Sequence, residues 1–202
     1  MLEKTQKTKI KLANSCENWE LLVRENKYLE LSLKGKSVIN AVQKDNSNLQ
    51  INIPIGEKSE FELELFVWQI GGNCKSEIKI WGKIGVEKVV KIKVCVFHLG
   101  KSGQSLQKSA FLVNGNLELS GEIVINAKFC EGVFENRNLL FDGIARIEPF
   151  LQIHELPQKC EHSTTTGSLE TETLEYLNSR GLGYSQSKKL ITRYFLTEFD
   201  KN

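Results

Sequence analysis

The sequence has no Cys-x-x-Cys pair, no apolar run near membrane-spanning length and almost no net charge. Each absence removes a class of protein. The five cysteines, Cys16, Cys74, Cys95, Cys130 and Cys160, are too scattered for a four-ligand zinc site or a disulfide framework. They read as small buried hydrophobes of a reducing compartment. A bilayer-spanning helix needs roughly 20 consecutive apolar residues, and no run comes near that. The opening "MLEKTQKTKIKLANS" is polar and lysine-rich, without the apolar centre of a signal peptide. A cytoplasmic protein is expected. The 27 basic and 25 acidic residues leave a net charge of +2, which argues against nucleic acid or an anionic membrane as partner. Aspartate is scarce before residue 160, with only Asp45 and Asp142, and no paired acidic motif suits a polysaccharide-active enzyme. No G-x-x-x-x-G-K-[ST] loop exists, so no ATP is expected to bind this chain.

What is present up to about residue 160 is strand material. Short runs such as "YLELSL", "LQINIPI", "FELELFVW", "SEIKIWGKI" and "VVKIKVCVF" are rich in Val, Ile and Phe, and several alternate apolar with polar. Only two tight-turn signals occur, Asn114-Gly115 and Asp142-Gly143, fewer than an up-and-down barrel needs. Gly121, Gly132 and Gly143 recur every eleven residues. That interval is compatible with successive turns of a solenoid, and a β-sandwich is an alternative that spacing leaves open.

The character changes after Cys160. "TTTGS" reads as loop. "LETETLEYLNSRG" has helical Leu174/Leu177 spacing and ends on Gly181, a natural helix stop. "YSQSKKLITRYFLTEF" carries Leu190, Ile191, Tyr194, Phe195 and Phe199 as one amphipathic face. Two short helices joined by "GLG" make an αα-hairpin. Their apolar residues exceed what two short helices can bury, so they are expected to cover the end of the solenoid, to meet another protein, or both.

From Phe111 to Phe199 the chain resembles the C-terminal half of the SufB/SufD family, scaffolds of the Suf iron–sulfur cluster assembly system. The matching pieces stand in the family's order: "LELSGEIVINAKFC", "ENRNLLF", "ARIEPFLQI", "KCEHSTTTGSLETETLEYLNSRGL" and "SKKLITRYF". The Cys-x-His, Thr-x-Gly, Tyr-Leu and Ser-Arg-Gly series at fixed spacing is the most specific. The resemblance implies a mainly β protein, a right-handed parallel β-helix over residues 1–162 with a helical subdomain over 163–202. No motif is recognised before about residue 85. It implies a non-catalytic scaffold that pairs through its β-helix with a SufB-like subunit or a second copy of itself. A SufC-like ABC ATPase would dock on its C-terminal helices. Tyr176, Leu177, Arg180, Leu190, Tyr194 and Phe195 are the expected partner-binding residues.

The same resemblance bears on the junction. Cys160 and His162, two apart on a strand, point to one face, so thiolate and imidazole could share an iron. Spacing alone is met more readily by a buried cysteine beside an exposed histidine. In the resemblance, His162 falls on a SufD-type histidine at the core interface implicated in cluster building, and Cys160 on the adjacent cysteine. A transient Fe–S cluster is the implied cargo. Asn136 stands where SufB-type members carry an assembly cysteine, and Ser163 where they carry Glu, so both positions look SufD-like. Glu161 matches the SufB-type pattern. Cys130, one rung away, is a weaker candidate ligand whose ordinary reading is a core cysteine. His98 reads as a hydrogen-bonded core or edge histidine and His154 as a surface residue. Glu170 and Gly183 stand where the family has helix-capping Asp and Ser. An adaptor that binds the ATPase or a SufB-like partner without handling a cluster is the alternative. A β-helix polysaccharide-active enzyme is the third reading.

Overall fold

The structure is a computed structural model that describes residues 6–11, 17–169 and 171–200; Cys16 and Glu170 lie outside them. Strands alternate between two sheets. The first sheet holds β1 (Gln6–Lys11), β3 (Lys27–Ser32), β5 (Asn48–Ile55), β7 (Lys75–Ile84), β9 (Gln104–Val113), β11 (Glu131–Leu140) and β13 (Lys159–Ser168), stacked in that order. The second holds β2 (Glu17–Val23), β4 (Gly35–Gln43), β6 (Phe61–Gln69), β8 (Val89–His98), β10 (Asn116–Ile125) and β12 (Ile144–Ile153). Every strand pairs in parallel with the strand two places on, as in β7 with β9 and β8 with β10. Two parallel sheets wound by one chain in this way form a parallel β-helix, the solenoid expected.

The alternation of apolar and polar residues is the alternation of inside and outside. In β6, Phe61, Leu63, Leu65 and Val67 are buried, while the glutamates between them face outward. Register stacks like on like: Leu63, Ile92 and Leu119 form one inward column, and Ile53 and Ile80 another. These columns fuse into one hydrophobic core along the solenoid axis. Each fully buried Leu, Ile or Val contributes about 1.5–3 kcal/mol relative to exposure.

The coil length differs from the eleven-residue interval. Strands of the first sheet begin at Asn48, Lys75, Gln104, Glu131 and Lys159, intervals of 27, 29, 27 and 28 residues. The glycines that stack at one corner are Gly85, Gly115 and Gly143. A Cβ on Gly115 would collide with the Gly85 carbonyl, and one on Gly143 with the Gly115 carbonyl. The other corner repeats a left-handed residue two places before the next strand: Asn46, Asn73, Ser102 and Phe129, at φ of 58, 55, 57 and 63°. The two turn signals at Asn114-Gly115 and Asp142-Gly143 thus mark corners between sheets, not hairpins.

The C-terminal hairpin is α1 (Thr171–Ser179) and α2 (Tyr184–Asp200). Gly181, at φ 87°, ends α1 in the left-handed conformation, and the amide of Leu182 donates back to the Leu177 carbonyl at 3.1 Å. Gln186 Oε1 accepts from the Gly183 amide at 3.1 Å, so a residue three places into the helix caps its start. The hairpin does not sit over the solenoid's end. Leu196 and Phe199 pack with Trp81, Ala110 and Leu112 on the outer face of the first sheet. Those outward side chains form an apolar stripe across β7 and β9, and the helix follows it. Trp81 and Phe199 rings lie 6.1 Å apart. Thr164–Ser168, expected as loop, completes β13, because β11 beneath it supplies a parallel template along that whole length.

Candidate functional site

Among the described residues, the strand β13 is the last of its sheet and pairs with β11 alone. Its register places Cys160 beside Gly132, His162 beside Phe134, Thr164 beside Asn136 and Thr166 beside Asn138. All four β11 residues face the interior and are buried. Cys160, His162, Thr164 and Thr166 therefore continue inward-facing columns at a point where no further described strand covers them. Cys160 is half-buried and packs against the end of the core, and His162 is exposed. Burial pushes the Cys160 thiol up from its ordinary range.

The interior becomes polar toward this end. The column of Ile53 and Ile80 continues as Ser109 and Asn136, that of Ile51 and Ile78 as Gln107 and Phe134, and that of Phe111 as Asn138. Asn136 Nδ2 donates to Ser109 Oγ at 2.8 Å, and Asn138 Nδ2 to Thr166 Oγ1 at 3.1 Å. Gln107 Nε2 crosses the interior to the Glu122 carbonyl at 2.9 Å. Gln107 Oε1 and Asn138 Oδ1 are buried without a hydrogen-bond partner. Cys160 and His162 thus continue the columns of Gly132 and Phe134, and Thr164 and Thr166 stand over the polar asparagines beside them.

Iron favours thiolate and imidazole ligands. Cys160 and His162 supply one of each on one face of one strand. Among the described residues, no group of three or more His, Cys, Asp or Glu converges at metal-binding range. Glu161 points away and pairs with Lys159 at 3.0 Å. Cys130 is fully buried at a corner, where its thiol donates to the Gly100 carbonyl at 3.4 Å. It is not on the exposed face with Cys160 and His162. His98 is buried on the last position of β8 and shares a 2.8 Å hydrogen bond with Ser105 Oγ, while His154 is exposed.

On the helices, Tyr176, Leu190 and Tyr194 are 59, 51 and 83% exposed. Arg180 stacks its guanidinium on the Tyr176 ring at 5.4 Å. Leu177 and Phe195 are half-buried, and Phe195 packs on the cluster that holds α2 to the sheet. Tyr184, 59% exposed, joins this outer aromatic set and was not singled out from sequence. It lies at the first position of α2, where the amphipathic period gives no signal.

The molecule is a two-sheet parallel β-helix with an appended helical hairpin, and its end strand carries a half-buried thiol and an exposed imidazole on one face. The match to known families is more specific. Residues 30–195 match the family model described as "SUF system FeS cluster assembly, SufBD core domain", and the chain belongs to that family. The chain is 29% identical over 101 residues to the iron-sulfur cluster assembly protein SufD of Escherichia coli strain K12, covering 48% of this chain and 24% of that protein. It is 30% identical over 99 residues to an iron-sulfur cluster assembly SufBD family protein of Pyrococcus horikoshii, covering 48% of this chain and 22% of that protein. The chain spans about a quarter of the length of the curated relatives it matches. No helix among the described residues is long and apolar enough to cross a membrane.

Proposed function

We propose that this chain is a non-catalytic, cytoplasmic scaffold subunit in iron–sulfur cluster assembly. It pairs through the open end of its β-helix with a SufB-like subunit or a second copy, and docks an ABC-type ATPase on its C-terminal helices. The observation that carries this reading is the placement of Cys160 and His162 on the end strand, beside a strand edge with unpaired backbone groups. A transient cluster needs more ligands than two, and the edge is where a partner's ligands would arrive. The exposed Tyr176, Leu190 and Tyr194 supply an aromatic and aliphatic surface of the kind that anchors protein interfaces. On the outer face of the second sheet, carboxylates are ion-paired, as Glu62 with Lys36 at 2.8 Å and Glu118 with Lys91 at 3.1 Å. That arrangement suits a solvated face better than a hydrolytic carboxylate pair.

The test is anaerobic co-expression with the ATPase and SufB-like subunit of the same organism. The complex is expected to retain iron and sulfide, and to lose them in His162→Ala. Truncation after Leu169, which leaves β13 whole, or Tyr194→Asp on the exposed helix face, is expected to release the ATPase. Intact ATPase binding with no iron in any preparation favours the adaptor reading instead; the burial of Cys130 is the observation on its side.

A further inference from the structure

We propose that the cleft between the start of α2 and the corner of the β-helix beneath it binds a small phosphate-bearing anion. The cleft has a volume of ≈ 330 Å³, within the range of small-molecule sites. Lys83 reaches it from the end of β7, Asn114 from the corner after β9, and Ser185, Lys188 and Lys189 from the first two turns of α2. Lys83 and the two α2 lysines lie more than 100 residues apart in the chain and line one cleft only because α2 docks on the sheet. Glu57 is the one carboxylate in the lining.

Three positive groups around one negative one leave the cleft electropositive. Among the described residues, neither Lys83 nor Lys189 has an ion-pair partner. Lys79, four residues before Lys83 on the same strand, is neutralised by Glu77 at 2.8 Å. Lys188 sits over the Phe141 ring at 4.3 Å, which holds its charge against the cleft wall. Gathering like charges costs free energy that a bound anion recovers. Lysine ammoniums with hydroxyl and amide donors beside them are the donor set that phosphate oxygens take.

The experiment is a titration of the full-length, isotope-labelled chain with inorganic pyrophosphate, followed by backbone NMR shifts. Saturable shifts confined to Lys83, Asn114 and the first turns of α2 are expected. Lys83→Ala with Lys189→Ala should weaken binding by about tenfold or more, the loss expected of charge-assisted hydrogen bonds. Glu57→Gln should tighten it several-fold, while Lys101→Ala, on the opposite corner, should leave it unchanged. Shifts scattered over the surface lysines, unaltered affinity in the double variant, or no saturable shift at all would each overturn the proposal. These lysines are half-buried or exposed, so the variants test the cleft and not the fold.

Discussion

The ring of Phe134 fills the space that a Cβ on Gly121 would need, and across the interior Ile123 does the same to Gly132, whose own Cβ would lie 2.6 Å from Ile123 Cγ2. The two glycines are reciprocal sockets on opposite sheets. The side chains they admit lie beneath the end strand: Phe134 is the register neighbour of His162, and Gly132 of Cys160. Gly121→Ala is therefore expected to destabilise the protein by about 1–3 kcal/mol through overpacking. Chemical denaturation measures the loss. Gly121→Ala combined with Phe134→Leu should recover part of it, because the added methyl then has room. Equal loss in the single and double variants would show that the ring does not set the socket.

His98 gives a pH dependence with a definite sign. Burial lowers its pKa from 6.5 to about 4. Between those values the unfolded chain takes up a proton that the native protein refuses. Stability is full above pH 6.5 and falls as pH drops through that window, by about 3 kcal/mol in all. His98 follows Gln43 and Gln69 in one inward column, and each glutamine donates to a backbone carbonyl of the next coil. His98→Gln should keep the fold and flatten the slope of stability between pH 6.5 and 4. An unchanged slope in that variant would assign the acid sensitivity to other groups.

The helical hairpin is held by its own small cluster, separate from the solenoid core. Phe199→Ala should cost about 3–5 kcal/mol of local stability. Amide exchange along α2 is expected to quicken, while amides of Ile51, Leu65 and Ile78 keep their protection. Loss of protection in both regions together would mean that hairpin and β-helix unfold as one unit.

Cys160 is the one described cysteine that is not buried. Its thiol is raised by desolvation, so alkylation near neutrality should be slower than for a free thiol, and the rate should climb at higher pH than in a model peptide. A Cys16→Ser background isolates the signal. Binding of ferrous iron at this position releases the thiol proton and should abolish the alkylation; persistence of full reactivity with iron present would remove Cys160 from the ligand set.

The strand pattern was legible because Phe61 to Val67 alternates as a half-buried strand must, and the helices because Leu174/Leu177 and Leu190/Tyr194 keep helical spacing. The coil length was not. Gly121, Gly132 and Gly143 suggested a common role, yet the first two make room for side chains and only the third belongs to the corner column. The true column, Gly85, Gly115 and Gly143, is diluted because the loops at that corner vary from two to five residues in length. The sequence motif brought Cys160 and His162 to attention. Their position at the open end of the solenoid depends on register with Gly132 and Phe134, which no local pattern carries. Docking of α2 on the sheet was hidden for the same reason: Trp81, Ala110 and Leu112 become neighbours only after the coils stack.

The fixed register also limits how the molecule can change in length. One residue added within a strand would turn the rest of that strand inside out. A residue added at the glycine corner falls where the loops already differ, four residues between β7 and β8 and two between β9 and β10, so the corner can absorb it. An insertion of one full coil, 27–29 residues, leaves every column in phase. Strand number in this architecture is therefore quantised, and a gene encoding it adds or loses rungs in whole windings while its corners vary residue by residue.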